Sequence, residues 1–192
     1  MLNAHTQKLL TYWRRLRGDR SMPRKEEIDP RAIKDHLAFS FLLQRENDDS
    51  FTFRLAGTGL CELFGLELKG HNFTHYWAEE ARSAARTALG RVVHLSVPTV
   101  AVCVAETADL KHIRGEMILV PLEGERGEGT LMLGHFQPLE PLARLNGKKI
   151  VRLRMTASAI LTGDAHSNSE IAFEERSRDA KSAQHLRVVA SR

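Results

Sequence analysis

The chain has little of several things, and each shortage excludes a class. It holds two cysteines in 192 residues, Cys61 and Cys103, both inside apolar stretches. Two isolated cysteines build neither a disulfide framework nor a zinc site. No window approaches 18 uninterrupted apolar residues, so no membrane-spanning helix is expected. The first ten residues carry His5, Gln7 and Lys8 and no apolar signal-peptide run, so the expected compartment is the cytoplasm. Aromatic residues are only 6%. Missing too are a Gly-rich phosphate loop, a kinase block and a readable helix-turn-helix. No nucleophile–base pairing stands out; Asp109, His112 and Glu116 cluster near a strand start and read as a solvated hairpin approach. The chain is expected not to be an enzyme.

What is present is ordinary globular material: 42% hydrophobic, 27% charged, net charge +4. The charge is uneven. Residues 143–192 hold ten Lys or Arg against five Asp or Glu, while the first 142 hold 18 against 19. A uniformly basic nucleic-acid-binding domain does not look like this.

Hydrophobic spacing orders the chain. Leu9, Trp13 and Leu16 form one stripe of an amphipathic helix over residues 5–17. Asp29-Pro30 starts a short second helix. Phe39 to Gln44 and Phe51 to Ala56 alternate as two strands around a polar turn. A helical block follows, with a long helix expected from Thr74 to Val93 and Trp77, Ala81, Ala84, Ala88 and Val92 on one face. Three more strands are expected over Val97–Thr107, Glu116–Leu122 and Thr130–Phe136. The last two are apolar on both sides and need cover on both. The helical block can supply one cover and the N-terminal helix the other. Lys148–Leu161 fits strand or helix, and the polar stretch after Gly163 reads as a loose helix or disorder.

Helix, helix, two strands, helices, three strands is the layout of a PAS domain. Particular segments strengthen the likeness. Tyr12-Trp13-Arg14-Arg15-Leu16-Arg17-Gly18, Met22-Pro23-Arg24 and Ile28-Asp29-Pro30 resemble the start of a bacterial PAS-like family of unknown function. Phe53-Arg54-Leu55-Ala56-Gly57-Thr58, Leu63-Phe64-Gly65 and Leu68-Lys69-Gly70 resemble its second block. The similarity covers roughly residues 10–140. It implies an α+β fold: a five-stranded antiparallel sheet with a helical insert after strand two and an N-terminal helical cap. The expected division is a cap over residues 1–37, a core over 38–142 and a basic, flexible tail over 143–192.

The resemblance also implies sensory or regulatory signalling through a small ligand, protein contacts or both. Phe53, Leu55, Trp77, Ala81, Ala84, Ala88, Met117, Leu119 and Leu133 are the candidates for lining a ligand pocket, against the plainer reading that they are core. Leu9, Trp13 and Leu16 are candidates for a homodimer interface, because one short helix looks too small to cover a sheet. With no output domain in view, a signalling partner protein is expected. The cofactor is open. Haem is disfavoured because His71 lies before the predicted helix, and with no third ligand close to His71 and His75 no metal site is expected. Flavin adduct chemistry is disfavoured because Cys61 sits in Leu60-Cys61-Glu62-Leu63-Phe64, not in the Asn-Cys-Arg-Phe of light-sensing relatives. Two alternatives stand beside the main reading. One is an adaptor that binds nucleic acid or an acidic partner through the basic patch Arg14–Lys25 and the tail, with nucleic acid disfavoured because stacking aromatics are scarce there. The other is a small-molecule enzyme on an α+β cavity.

Overall fold

A computed structural model describes residues 1–47, 50–125, 130–161 and 174–175. Helix α1 (Ala4–Arg17) begins where the Asn3 side chain accepts the His5 N–H at 2.9 Å. Arg14, Arg15 and Arg17 occupy its last turn, favourable at the negative end of the helix dipole, and Gly18 at φ +55° ends it. A connector with a 3-10 turn at Lys25–Glu27 leads to a longer 3-10 segment, Pro30–Phe39, kinked at Ile33. Asp29 caps that segment by accepting the Arg31 N–H at 2.9 Å.

The sheet then builds antiparallel from β1 (Ser40–Arg45) and β2 (Phe51–Ala56). The insert follows: α2 (Thr58–Phe64), a 3-10 turn (Phe73–Tyr76) and α3 (Glu79–Leu95). Strands β3 (Thr99–Thr107), β4 (His112–Glu123) and β5 (Thr130–Pro138) come next, then a 3-10 turn (Leu142–Leu145), β6 (Ile150–Ile160) and the two-residue β7 (Glu174–Glu175). The order across the sheet is β2-β1-β5-β4-β3-β6-β7. The fold is the expected α+β layout with its insert after strand two.

Two features differ from expectation. Residues 150–160 are a full strand pairing with β3 along its length, so the sheet exceeds five strands and the core runs past residue 142. The long helix is also interrupted. Ala78 donates its N–H to Leu153 O at 2.8 Å, and Trp77 bridges to Leu153. β6 thereby claims the backbone where an unbroken helix would have needed it. The stretch after Gly163, read as loose helix or disorder, lies outside the described residues apart from β7.

The sheet is covered on both sides. On the inner face, the insert packs over Phe41, Leu43, Cys103, Ile113, Met117, Met132 and Phe136. On the outer face, Leu9, Leu10 and Trp13 of α1, with Ile33, cover Val100, Ile118, Val120, Leu122, Leu131 and Leu133. One helix suffices because Ile33, Leu161, Met22 and Ile28 extend its cover.

Leu9 and Trp13 are 0% exposed within the chain itself. The Trp13 Nε1–H donates to Pro121 O at 2.8 Å. These residues therefore face the chain's own sheet and offer no surface to a second copy; Leu16 is half-buried beside them.

Candidate functional site

Between the sheet's inner face and the insert lies the space where a ligand pocket was expected. Aromatic side chains fill it. Phe41 (β1), Phe53 (β2), Phe64 (α2), Phe73 and Tyr76 (the 3-10 turn) and Phe136 (β5) line it with Leu60, Met117, Ile150 and Leu153. Five of the chain's eight phenylalanines thus meet in one place.

Their rings touch in a network. Phe41 and Phe73 stack at 5.6 Å, while Phe53 meets Phe41 edge-on at 5.5 Å and Phe73 at 5.6 Å. Phe64 meets Tyr76 at 4.9 Å. Such offset and edge-on pairs add about 0.5–1.5 kcal/mol each beyond area burial. The remaining void is about 10 Å³. That is about one water-sized sphere.

Two glycines let the rings lie flat on the sheet. A Cβ at Gly134 would stand 2.2 Å from Phe41 Cε2, and one at Gly115 would stand 2.2 Å from Phe136 Cε2. The missing side chains are the seats of the rings. Tyr76 reaches the rim, where its hydroxyl meets His71 Nδ1 at 2.8 Å, and desolvation raises its pKa.

The expected pocket residues divide into four groups. Phe53 and Met117 line the void. Trp77, Ala81 and Leu119 are buried in the same core without lining it, and Ala88 is buried on α3. Leu133 faces the opposite side of the sheet, under α1. Leu55 and Ala84 were misplaced. Leu55 is 60% exposed, because the register shift at Leu42/Leu43 where β1 and β2 pair breaks the simple alternation. Ala84 is half-buried and lines a separate shallow groove with Thr87, Arg91 and residues 155–158 of β6, while Ala85 takes the inward place. The helix starts at Glu79 rather than Thr74, and the inward stripe runs Ala81, Ala85, Ala88, Leu89, Val92.

The reading missed Phe41, Phe64, Phe73 and Phe136. The two strand aromatics carried a signal, Phe41 and Phe136 at inward positions over glycines that a strand would otherwise avoid, whereas Phe64 and Phe73 lie on a helix and a 3-10 turn.

The other candidate groups do not converge. Cys61 is half-exposed, with its Sγ 3.7 Å from Glu67 Oε1, and lies outside the lining. Cys103 is fully buried, and desolvation raises its thiol to about 12, which makes it inert. Asp109 accepts the Thr107 hydroxyl proton at 2.5 Å and shapes a turn, whereas Glu116 accepts the Asn3 N–H at 3.0 Å. Among the described residues no group of three or more His, Cys, Asp or Glu is placed to hold a metal ion.

A family profile for the PAS domain matches residues 1–137. The chain belongs to the PAS domain family. Solved structures with a similar fold include a light-oxygen-voltage domain studied with a flavin analogue, at 15% identity and TM-score 0.46, covering 57% of this chain and 83% of that one. The dark-state Aureochrome1 LOV blue-light photoreceptor is similar at 14% identity and TM-score 0.45, covering 59% and 84%. A LOV protein from Rhodobacter sphaeroides is similar at 15% identity and TM-score 0.42, covering 62% of this chain and 72% of that one. No curated protein matches the chain in sequence. No helix among the described residues is long and apolar enough to cross a membrane.

Proposed function

We propose that this PAS domain is a cytoplasmic regulatory module of bacterial signalling that acts mainly through contact with a partner signalling protein. The observation that carries this reading is the filled interior. A void of about 10 Å³ leaves no room for a resident organic ligand in this conformation. A small ligand remains part of the reading only as an apolar molecule that displaces Phe41, Phe73 or Phe136 on entry. We assign the domain no catalytic role: Asp109 accepts from the Thr107 hydroxyl and Glu116 from the Asn3 N–H, on different parts of the fold.

The adaptor alternative loses support from the basic patch. Arg20 pairs with Glu27 at 2.9 Å, Lys25 with Glu125 at 3.2 Å and Arg24 with Glu123 at 3.6 Å. Arg15 and Arg17 lie over the Tyr12 and Trp13 rings, each at 5.5 Å. Much of the patch is engaged within the chain. A homodimer stays within the proposal, with its interface away from the inward stripe of α1.

Native mass spectrometry of the freshly purified chain tests the main reading. The expected spectrum is that of the bare polypeptide. A stoichiometric co-purified small molecule would overturn interaction as the main mode and restore ligand binding to first place.

A further inference from the structure

Three histidines from three elements meet where the N-terminal cap rests on the sheet. His135 projects from β5 and is 2% exposed. Its ring centroid lies 5.0 Å from that of His36, in the Pro30–Phe39 segment, at an interplanar angle of 69°. His36 in turn meets His5 of α1 at 5.5 Å and 68°. The hydrogen bonds tie the same elements together. His36 Nε2 donates to His5 O at 3.0 Å, which leaves its Nδ1 as the acceptor nitrogen, buried and without a partner among the described residues. Ser40 donates its hydroxyl proton to His36 O at 2.9 Å and stands 3.2 Å from His135 Nδ1.

We propose that His5, His36 and His135 form a proton-sensitive latch, in which protonation breaks the seat of the N-terminal cap on β5 and lifts the cap from the sheet's outer face. A positive charge is poorly accommodated in this buried stack. Protonating His135 would bury a cation beside two further imidazoles, in a seat where the buried His36 Nδ1 already has no partner among the described residues.

The surrounding groups are few. From β1 comes Ser40, from α1 His5 and the buried Thr6, and from the Pro30–Phe39 segment His36. β5 itself supplies Gln137, whose Oε1 lies 3.4 Å from His135 Nε2 and which, with the His36 backbone, favours a second proton on the ring. β4 supplies Glu116, opposite Gln137 in register and buried, with its carboxylate accepting the Asn3 N–H. Glu116 holds the residue that caps α1.

The sign follows from the docked state. Burial first, then the charges of His36 and His5, lower His135 from 6.5 to about 4, against the weaker raising effects of Gln137 and the His36 backbone. The docked cap takes up the proton less readily than the free one. Docking is therefore at full strength above pH 6.5 and weakens as pH falls toward about 4, by up to tenfold per pH unit and up to roughly 300-fold in all.

Hydrogen exchange of the full chain from pH 7.5 to about 4.5, corrected with an unstructured peptide, tests the latch. The opening constant of α1 should rise by up to about 100-fold while that of β3 stays within about threefold. His135→Gln should remove the α1 rise. An equal rise in β3, or an α1 rise that persists in His135→Gln, overturns the latch. A variant that fails to fold leaves a direct measurement on the native chain, the NMR titration of the His135 ring. A midpoint below about 5.5 with the cap docked supports the latch, and one at or above about 5.5 with the cap docked overturns it.

Discussion

Phe136→Ala is the sharpest test of a domain whose interior is occupied by its own side chains. The ring is 1% exposed, sits over Gly115 and walls the aromatic cluster. Its removal costs a transfer contribution of about 1.5–3 kcal/mol. It also opens roughly 100 Å³, which at about 24 cal/mol per Å³ adds about 2.4 kcal/mol if the neighbours stay in place. The expected loss is about 3–5 kcal/mol, the usual range for a buried Phe→Ala change. That is a large part of the roughly 5–15 kcal/mol a domain has. The new space joins the existing void of about 10 Å³ and is lined by Phe41, Phe53, Phe73 and Met117. A dry apolar cavity of this kind takes up benzene. Urea denaturation with and without benzene reads both effects. Benzene at 100 times its Kd should return about 2.7 kcal/mol to the variant and nothing to the wild type. A loss under about 1 kcal/mol, or no recovery with benzene, would mean that the neighbours close over the site and that Phe136 is not holding the interior shut.

Three further outcomes follow from the packing. Trp13→Ala should lower stability by about 3–5 kcal/mol through a cavity under α1 and an unanswered Pro121 carbonyl, with no change in sedimenting mass; a change in mass at equal stability would return Trp13 to an interface between copies. Ala85→Leu should cost about 1–3 kcal/mol by overpacking against the sheet, while Ala84→Leu should cost less than about 1 kcal/mol, and the reverse order in chemical denaturation would refute the inward stripe assigned to α3. Glu106 is 3% exposed and its hydrogen bond from Arg152, together with the charge of Arg154, holds its carboxyl below the ordinary value of 4.5. Its contribution is present above that value and fades as pH falls through the lower folded value, so Glu106→Gln should be destabilised at pH 7 by about 1–3 kcal/mol and draw level with the wild type in acid. A gap that stays constant down to pH 3 would contradict this.

Local pattern carried far in this chain. Alternation found β1 to β3 and the hairpin between β1 and β2, apolar runs found β4 and β5, and Asp29-Pro30 marked a helical start. The features it missed depend on distant pairing. Lys148–Leu161 is ambiguous by itself and becomes β6 because β3 offers it a partner edge. That pairing then fixes Trp77–Ala78 against Leu153 and moves the start of α3, which turns Ala84 outward and Ala85 inward. Leu55 shows the same limit, since a register shift between strands leaves no mark in a single strand's sequence. Trp13 illustrates another: a stripe of Leu9, Trp13 and Leu16 tells that a helix has something to cover, but not whether the covered surface belongs to its own chain.

Proline in an interior strand is ordinarily a fault, yet Pro121 stands in β4, between β3 and β5. β3 stops pairing at Thr99 with Leu119, so beyond that point β4 has lost its neighbour on one side. The N-terminal segment fills the gap: Trp13 takes the Pro121 carbonyl, and Glu123 N–H donates to Pro23 O at 2.9 Å. Residues 13–24 thus stand in for the missing end of a strand. The domain cannot be excised as a cassette starting near residue 38, because the cut would bare a strand edge and the apolar face beside it, the combination that drives chains to aggregate. Fusion proteins and truncation series built on this fold need to begin before Asn3 and to keep β6.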